Sequence, residues 1–514
     1  MLTKVYSAAL RGIDAYTVTI ETNVARGARF TIVGMADTAV RESYTRITTA
    51  LSQGGLRFPH KATTINLSPA DVKKEGTSFD LPMAIGILAS NEHFTTPNLR
   101  EWMIAGELSL SGDVLPIRGA LPIAIRARQE GFKYLIVPKA NATEAAVVNR
   151  LQVFGVESLA ETVALIKGDG GPGRTDIDTR AVFAAAADTF PFDFSEVKGQ
   201  ESVKRAFEVA CAGGHNILLV GSPGSGKSMM AKRLPSILPP LSLEEALETT
   251  KIHSVAGKLG RGSTLLTARP FRTPHHTVSP VAMVGGGANP MPGEISLANN
   301  GILFLDEFPE FGRNVLEVLR QPIEDRTITV SRAKYTIDYP ASFMLVASMN
   351  PCPCGYYGHP TKLCTCAPGQ VSKYMNRISG PLLDRIDIQV EIQPVSFDDM
   401  ASQQPGESSA AIRDRVVRAR AIQLERYSKE PGVHCNAQMN SRLLHKYAWP
   451  DEAGMQKLRE RMDRLQMSAR AFDRILRVAR TIADLDASPA VLSRHIAEAI
   501  GYRALDRATY GQTL

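Results

Sequence analysis

No apolar run in this 514-residue chain approaches the roughly 18–20 residues that a membrane-spanning helix needs. The first stretch, MLTKVYSAALRGIDAYTV, lacks the continuous apolar segment and small-residue cleavage site of a secretory leader. No repeat of fixed period and no long low-complexity tract is present. These absences set the expectation of a cytoplasmic protein with no membrane role. Excess charge is scarce as well: 59 basic against 52 acidic residues leave a net +7. That bias suits a polyanion partner, but alone it does not separate a nucleic-acid binder from an ordinary enzyme. Only six cysteines occur, and Cys211 and Cys435 stand alone with no expected chemistry.

The chain is too long for one hydrophobic core, so two to four domains are expected. Its 44% apolar and 22% charged composition is that of ordinary globular protein. Residues 1–166 alternate β-rich runs (FTIVG, TTINL, YLIVP) with helical stretches such as LPMAIGILAS, which predicts a compact α/β domain. Residues 167–191, containing KGDGGPGRTDIDTR, read as a linker. A second α/β block spans 192–394, and a helical block spans 395–514. The fold class expected is α/β with a helical carboxy-terminal part.

The segment HNILLVGSPGSGKSMMAKRL sets an apolar strand before a glycine-rich loop and a helix. Gly221, Ser222, Pro223, Gly224, Ser225, Gly226, Lys227 and Ser228 match G-x-x-x-x-G-K-[ST] without a mismatch. Glycines let backbone N–H groups converge on phosphate oxygens, and the helix N-terminus adds its positive dipole end. Lys227 is assigned to the β- and γ-phosphates of ATP, and Ser228 to Mg²⁺. About 80 residues on, GILFLDEFPEF ends an apolar strand in two acids. Asp306 is placed at the Mg²⁺ and Glu307 as the base that polarises the attacking water. A further strand, FMLVASMNP, ends in Asn350, whose amide would orient that water; a plain turn asparagine is the bland alternative.

With PFRTPHHTVSPVAMVGGGANPMPGEISLANNGILFLDEF, SGPLLDRIDI and SARAFDRILRVARTIADLD on the page, the chain resembles the Mg-chelatase-like AAA+ ATPases, and more closely their ComM/YifB subfamily, over nearly its whole length. The resemblance implies a P-loop AAA+ core over 192–394 and a helical lid over 395–514. It puts Asn350 at sensor 1, Arg385 at the arginine finger and Arg470 at sensor 2, with Arg320 a weaker candidate for a second contact in trans. On periodicity alone, Phe472, Ile475, Leu476, Ala479 and Ile482 form an apolar helix face, with Arg470, Arg474 and Arg477 opposite on a solvated one. The family also implies a homohexameric ring acting on single-stranded and branched DNA, a helicase driving branch migration in recombination during natural transformation.

The segments KKEGTSFDLPMAIGI and GELSLSGDVLPIRGALPIAIRARQEGFKYLIVPKAN resemble the proteolytic domain of Lon. Ser78 falls at the nucleophile's place, but Leu121 stands where that family has its lysine, and leucine accepts no proton. Residues 1–166 are therefore expected to be a non-catalytic relative.

Cys352, Cys354, Cys364 and Cys366 form two C-x-C pairs separated by nine residues. Four thiolates suit tetrahedral Zn²⁺, with His359 able to replace one sulfur; four reduced cysteines in a surface loop is the alternative. TITVSRAKYTIDYP reads as a hairpin whose Arg332 and Lys334 would meet DNA phosphates in a ring's channel. The region of Arg272, His275 and His276 is a second candidate for pore contact, or a packed turn. Two competing functions stay open: a chelatase-type motor that remodels a protein partner, and an ATP-dependent protease or scaffold.

Overall fold

The computed structural model describes residues 2–59, 61–91, 98–185, 190–260, 262–287, 290–332, 335–395, 405–465 and 467–503. The chain divides into two compact units. One contains Met1–Ala187, Ser242–Thr267 and Pro290–Pro292, and the other contains Asp188–Leu241, Ala268–Asn289 and Gly293–Leu514.

The first unit is built on an eight-stranded mixed sheet. Its strands are β1 (Leu2–Arg11), β2 (Asp14–Ala25), β3 (Phe30–Val33), β4 (Ala62–Ser68), β5 (Trp102–Ile104), β6 (Tyr134–Pro138), β7 (Gln152–Val156) and β8 (Arg174–Thr175). They lie in the order β8-β7-β6-β5-β1-β2-β4-β3. The three β-rich runs of the sequence supply β3, β4 and β6, and LPMAIGILAS forms most of the helix Asp80–Ser90, every residue of which is buried. The sheet takes in Arg174–Thr175, beyond the glycine-rich stretch that follows Ile166. The helix Leu243–Val255, closed by a capping box between Ser242 and Glu245, belongs to this unit too and packs on the helix Ala120–Gln129.

The second unit holds a five-stranded, all-parallel sheet: β9 (Ile217–Gly221), β10 (Phe271–Arg272), β11 (Ile302–Leu305), β12 (Met344–Met349) and β13 (Ile388–Ile392), in the order β10-β11-β12-β9-β13. All residues of β9, β11 and β12 are buried, as expected for parallel strands covered on both faces. Leu219, Phe304, Val346 and Ile388 share one core with Phe207 of the helix Glu201–Gly213 and with Ile475, Leu476 and Ile482 of the helix Ala469–Leu485. The carboxy-terminal helices thus close over the same apolar interior. The strands Thr327–Arg332 and Tyr335–Pro340 pair as the antiparallel hairpin read from the sequence. No helix among the described residues is long and apolar enough to cross a membrane.

Candidate nucleotide site and cysteine cluster

Parallel strands point their carboxyl ends the same way, so the loops that leave them gather along one edge. There β9 runs into the glycine-rich loop, β11 into Asp306 and Glu307, and β12 into Asn350. Gly224 and Gly226 take φ of +80° and +89°, which lets the loop curl before the helix Lys227–Ala231. Lys227 Nζ donates to the carbonyls of Gly221 (2.7 Å) and Ser222 (2.9 Å) and to Asn350 Oδ1 (3.2 Å). Its burial lowers the ammonium's pKa, partly offset by the nearby Asp306 carboxylate. Ser228 Oγ donates to Asp306 Oδ2 at 2.6 Å, and the Ser348 hydroxyl donates to Asp306 Oδ1. Lys227, Ser228, Asp306 and Asn350 therefore meet as a single cluster. A hydroxyl and a carboxylate side by side at a helix N-terminus are hard oxygen donors, the set that fits Mg²⁺ with a nucleotide.

Ser348 was not singled out from the sequence. The available signal was strand alternation: Ser348 lies two residues before Asn350, hence on the same face of β12, in a strand that pairs directly with β11.

Glu307 follows in a left-handed conformation, φ +53°, and its side chain is 62% exposed. The His276 ring faces it, with Nδ1 at 3.5 Å from Oε2. Arg272 is engaged by Glu294 in a two-pronged pair (2.7 and 2.8 Å), so neither it nor His276 stands free as the pore contact weighed from the sequence.

Arg385 does not project as a free finger. Its side chain is only 8% exposed, paired with Glu324 at 2.9 Å and donating to the Pro381 carbonyl at 2.6 Å. Arg320 pairs with Glu317 at 2.7 Å and lines the same hollow. Arg470 is exposed in the first turn of its helix. The solvated face expected there is corrected for its neighbours: Arg474 pairs with the buried Asp387 at 2.7 Å, and Arg477 donates to the Met439 carbonyl at 3.0 Å. Periodicity records apolar and polar positions but is blind to a carboxylate arriving from another element.

The sulfurs of Cys352, Cys354, Cys364 and Cys366 all lie within 4.8 Å of one another. Separations of 3.3, 3.5 and 3.8 Å fit the roughly 3.8 Å edge of a tetrahedron with Zn–S near 2.3 Å. The Tyr357 backbone N–H donates to Cys352 Sγ. Burial alone would raise the Cys354 thiol, but the N–H groups of Tyr356 and Thr365 bring it down to about 5. His359 lies outside this set, with Nδ1 accepting from the Thr361 and Lys362 backbone N–H groups at 3.1 and 3.0 Å. The donor set is thus four thiols, and it fits zinc. The loop also touches the nucleotide site, because Gly355 sits against the Pro223 ring.

In the first unit, Leu121 is fully buried and donates its backbone N–H to Glu144 at 2.9 Å. The position offers Ser78 no base. In the hairpin of the second unit, Lys334 lies outside the described residues, as does the side chain of Arg332.

Three family models match: "Magnesium chelatase, subunit ChlI" over residues 193–400, "Subunit ChlI of Mg-chelatase" over 20–141, and "Magnesium chelatase, subunit ChlI C-terminal" over 406–503. The chain is 42% identical over 506 residues to YifB of Salmonella typhimurium (98% of this chain, 97% of the relative). It is 42% identical over 512 residues to YifB of Escherichia coli K12 (98% of each). It is 41% identical over 509 residues to competence protein ComM of Haemophilus influenzae (98% of this chain, 97% of the relative). With the P-loop cluster on its parallel sheet and this near full-length similarity, the chain belongs to the ComM/YifB family of magnesium-chelatase-like AAA+ proteins.

Proposed function

We propose that the protein is an ATPase whose subunits form a ring, a homohexamer, and convert ATP hydrolysis into movement on branched DNA. The observation that carries the ATPase is the cluster of Lys227, Ser228, Asp306 and Asn350 at one edge of the sheet. Lys227 would exchange its carbonyl partners for β- and γ-phosphate oxygens, a gain because a charged acceptor binds an ammonium more strongly than a neutral one. Ser228 and Asp306 would hold Mg²⁺, which neutralises charge on the phosphates. Glu307 would take the proton of the attacking water while Asn350 orients it. Arg385, released from Glu324, would reach the neighbouring subunit's γ-phosphate, a contribution of about 10³–10⁵ in rate for such fingers. Arg470 is the candidate lid contact. The four cysteines would hold Zn²⁺ as a structural clip beside the P-loop, with metal content near one zinc per chain as the check.

The DNA reading draws on the basic excess, on the hairpin preceding β12 and on the printed name of the Haemophilus relative. The role that follows is branch migration of incoming strands in natural transformation. The test is ATP-driven strand exchange on a synthetic three- or four-way junction, with Lys227→Ala as the blank. Exchange by the wild type at low salt and none by the blank is expected. Wild-type protein that hydrolyses ATP yet moves no junction would sink the DNA motor and favour the partner-remodelling alternative, to be tried by porphyrin metal insertion with added partner subunit.

A further inference from the structure

We infer that His276 is a positioning residue for Glu307, holding the carboxylate through its Nδ1 so that one oxygen stays directed at the water. This rests on Glu307 being the base.

Glu307 needs such a partner. Its side chain is 62% exposed and carries three rotatable bonds, so unrestrained it would spend most of its time in solvent. Its left-handed backbone turns it out of the alternation of β11, away from the face that carries Asp306 into the cluster with Ser228 and Ser348. The chain that follows is fixed: the Glu310 N–H donates to the Glu307 carbonyl at 2.8 Å, and Phe308 is fully buried. Only the carboxylate end is left to be placed.

His276 is held for that purpose on three sides. β10 runs parallel beside β11, Phe271 in register with Ile302, so the turn after β10 comes out next to the turn after β11. The His276 ring stands edge-on to the buried Phe311 (6.4 Å, 81°) and lies against the His275 ring at 4.1 Å. His275 in turn is pinned by Thr277 Oγ1 at 2.9 Å from its Nδ1. With Nδ1 at 3.5 Å from Glu307 Oε2, and a carboxylate that only accepts, Nδ1 must carry the proton. One carboxylate oxygen is then occupied and the other is free to accept from water.

The test exploits which ring nitrogen faces Glu307. Nδ1 is bonded to Cγ, as is the amide nitrogen of asparagine, whereas the amide of glutamine reaches the place of Nε2. His276→Ala should lower kcat for ATP about tenfold or more with KM for ATP unchanged. His276→Asn should recover most of that loss, and His276→Gln little of it. In a Glu307→Gln background, His276→Ala should cost nothing further. Unchanged or faster turnover in His276→Ala overturns the inference, as does a loss shared with KM or shared equally by Asn and Gln, since a folding role would not tell those two apart. Full turnover in Glu307→Gln would instead remove the base reading itself; inactive Glu307→Gln beside fully active His276→Ala removes the inference alone.

Discussion

Gly355 shows how much a single residue can join. It lies between Cys354 and the turn that returns to Cys364, takes φ +84°, and packs against the P-loop. A Cβ there would lie 2.5 Å from Pro223 Cδ and 2.7 Å from Cγ, closer than carbon atoms tolerate, and the left-handed backbone adds strain for any L side chain. Gly355→Ala is therefore expected to push the loop holding Lys227 off its geometry and weaken ATP binding about tenfold, equivalent to about 1.4 kcal/mol, with little change in melting temperature. Calorimetric titration with a non-hydrolysable ATP analogue decides it, and wild-type affinity would break the proposed link. The motif glycines, Lys227, Ser228 and Asp306 were legible because phosphate chemistry demands them at fixed spacing along the chain. The roles of Gly355 and His276 were not legible, since each is defined by a partner more than thirty residues away in the sequence.

At the scale of the element, the helix Ala469–Leu485 carries the most information. Ser468 caps it, accepting the Ala471 N–H at 3.2 Å, and its apolar face is buried as read. Its polar face is also engaged, because Arg474 reaches Asp387, which faces His215 Nδ1 at 3.3 Å, and His215 Nε2 meets Thr481 Oγ1 at 2.7 Å. This network ties the helix to the start of β13, two residues after Arg385. Burial lowers the His215 pKa. Burial would raise Asp387, but the Arg474 guanidinium holds it well below the carboxylate range. A depressed folded-state pKa means the unfolded chain binds the proton first. Stability is therefore complete above about pH 6.5 for His215 and about pH 3.9 for Asp387, and is lost as pH falls below each value. Thermal melts from pH 7.5 to 5 should show a falling midpoint, with a shallower slope in His215→Asn. Arg474→Met, which strands a carboxylate only 1% exposed, should cost about 3–5 kcal/mol by denaturant unfolding.

At the scale of the whole molecule, the two units are not successive beads on the chain. The helix Leu243–Val255 comes after the P-loop in sequence but belongs to the unit that begins at Met1. Ala246, Ile252 and Val255 are buried there, Ser254 donates its hydroxyl to Glu144, and the Gly119 N–H donates to the Ser254 carbonyl at 3.2 Å. Removing residues 1–187 would leave this helix with a bare apolar face and unpaired polar groups. The truncated protein is expected to aggregate or bind a hydrophobic dye strongly, whereas deleting Ser242–Thr267 together with 1–187 should restore solubility. A well-behaved simple truncation would show that the helix does not depend on that unit.

The sequence by itself determined the nucleotide chemistry, the α/β class and the apolar faces, because these are written in short windows: a phosphate loop needs glycines and a lysine at fixed spacing, and strands and helices need periods near 2 and 3.6. Tertiary structure decided which charges are free to act. Arg385, Arg474 and Arg272 look alike in the chain, yet each is claimed by a carboxylate from elsewhere, Glu324, Asp387 or Glu294. A buried or half-buried guanidinium takes whatever anion the fold brings within reach, and no local pattern of residues records that encounter.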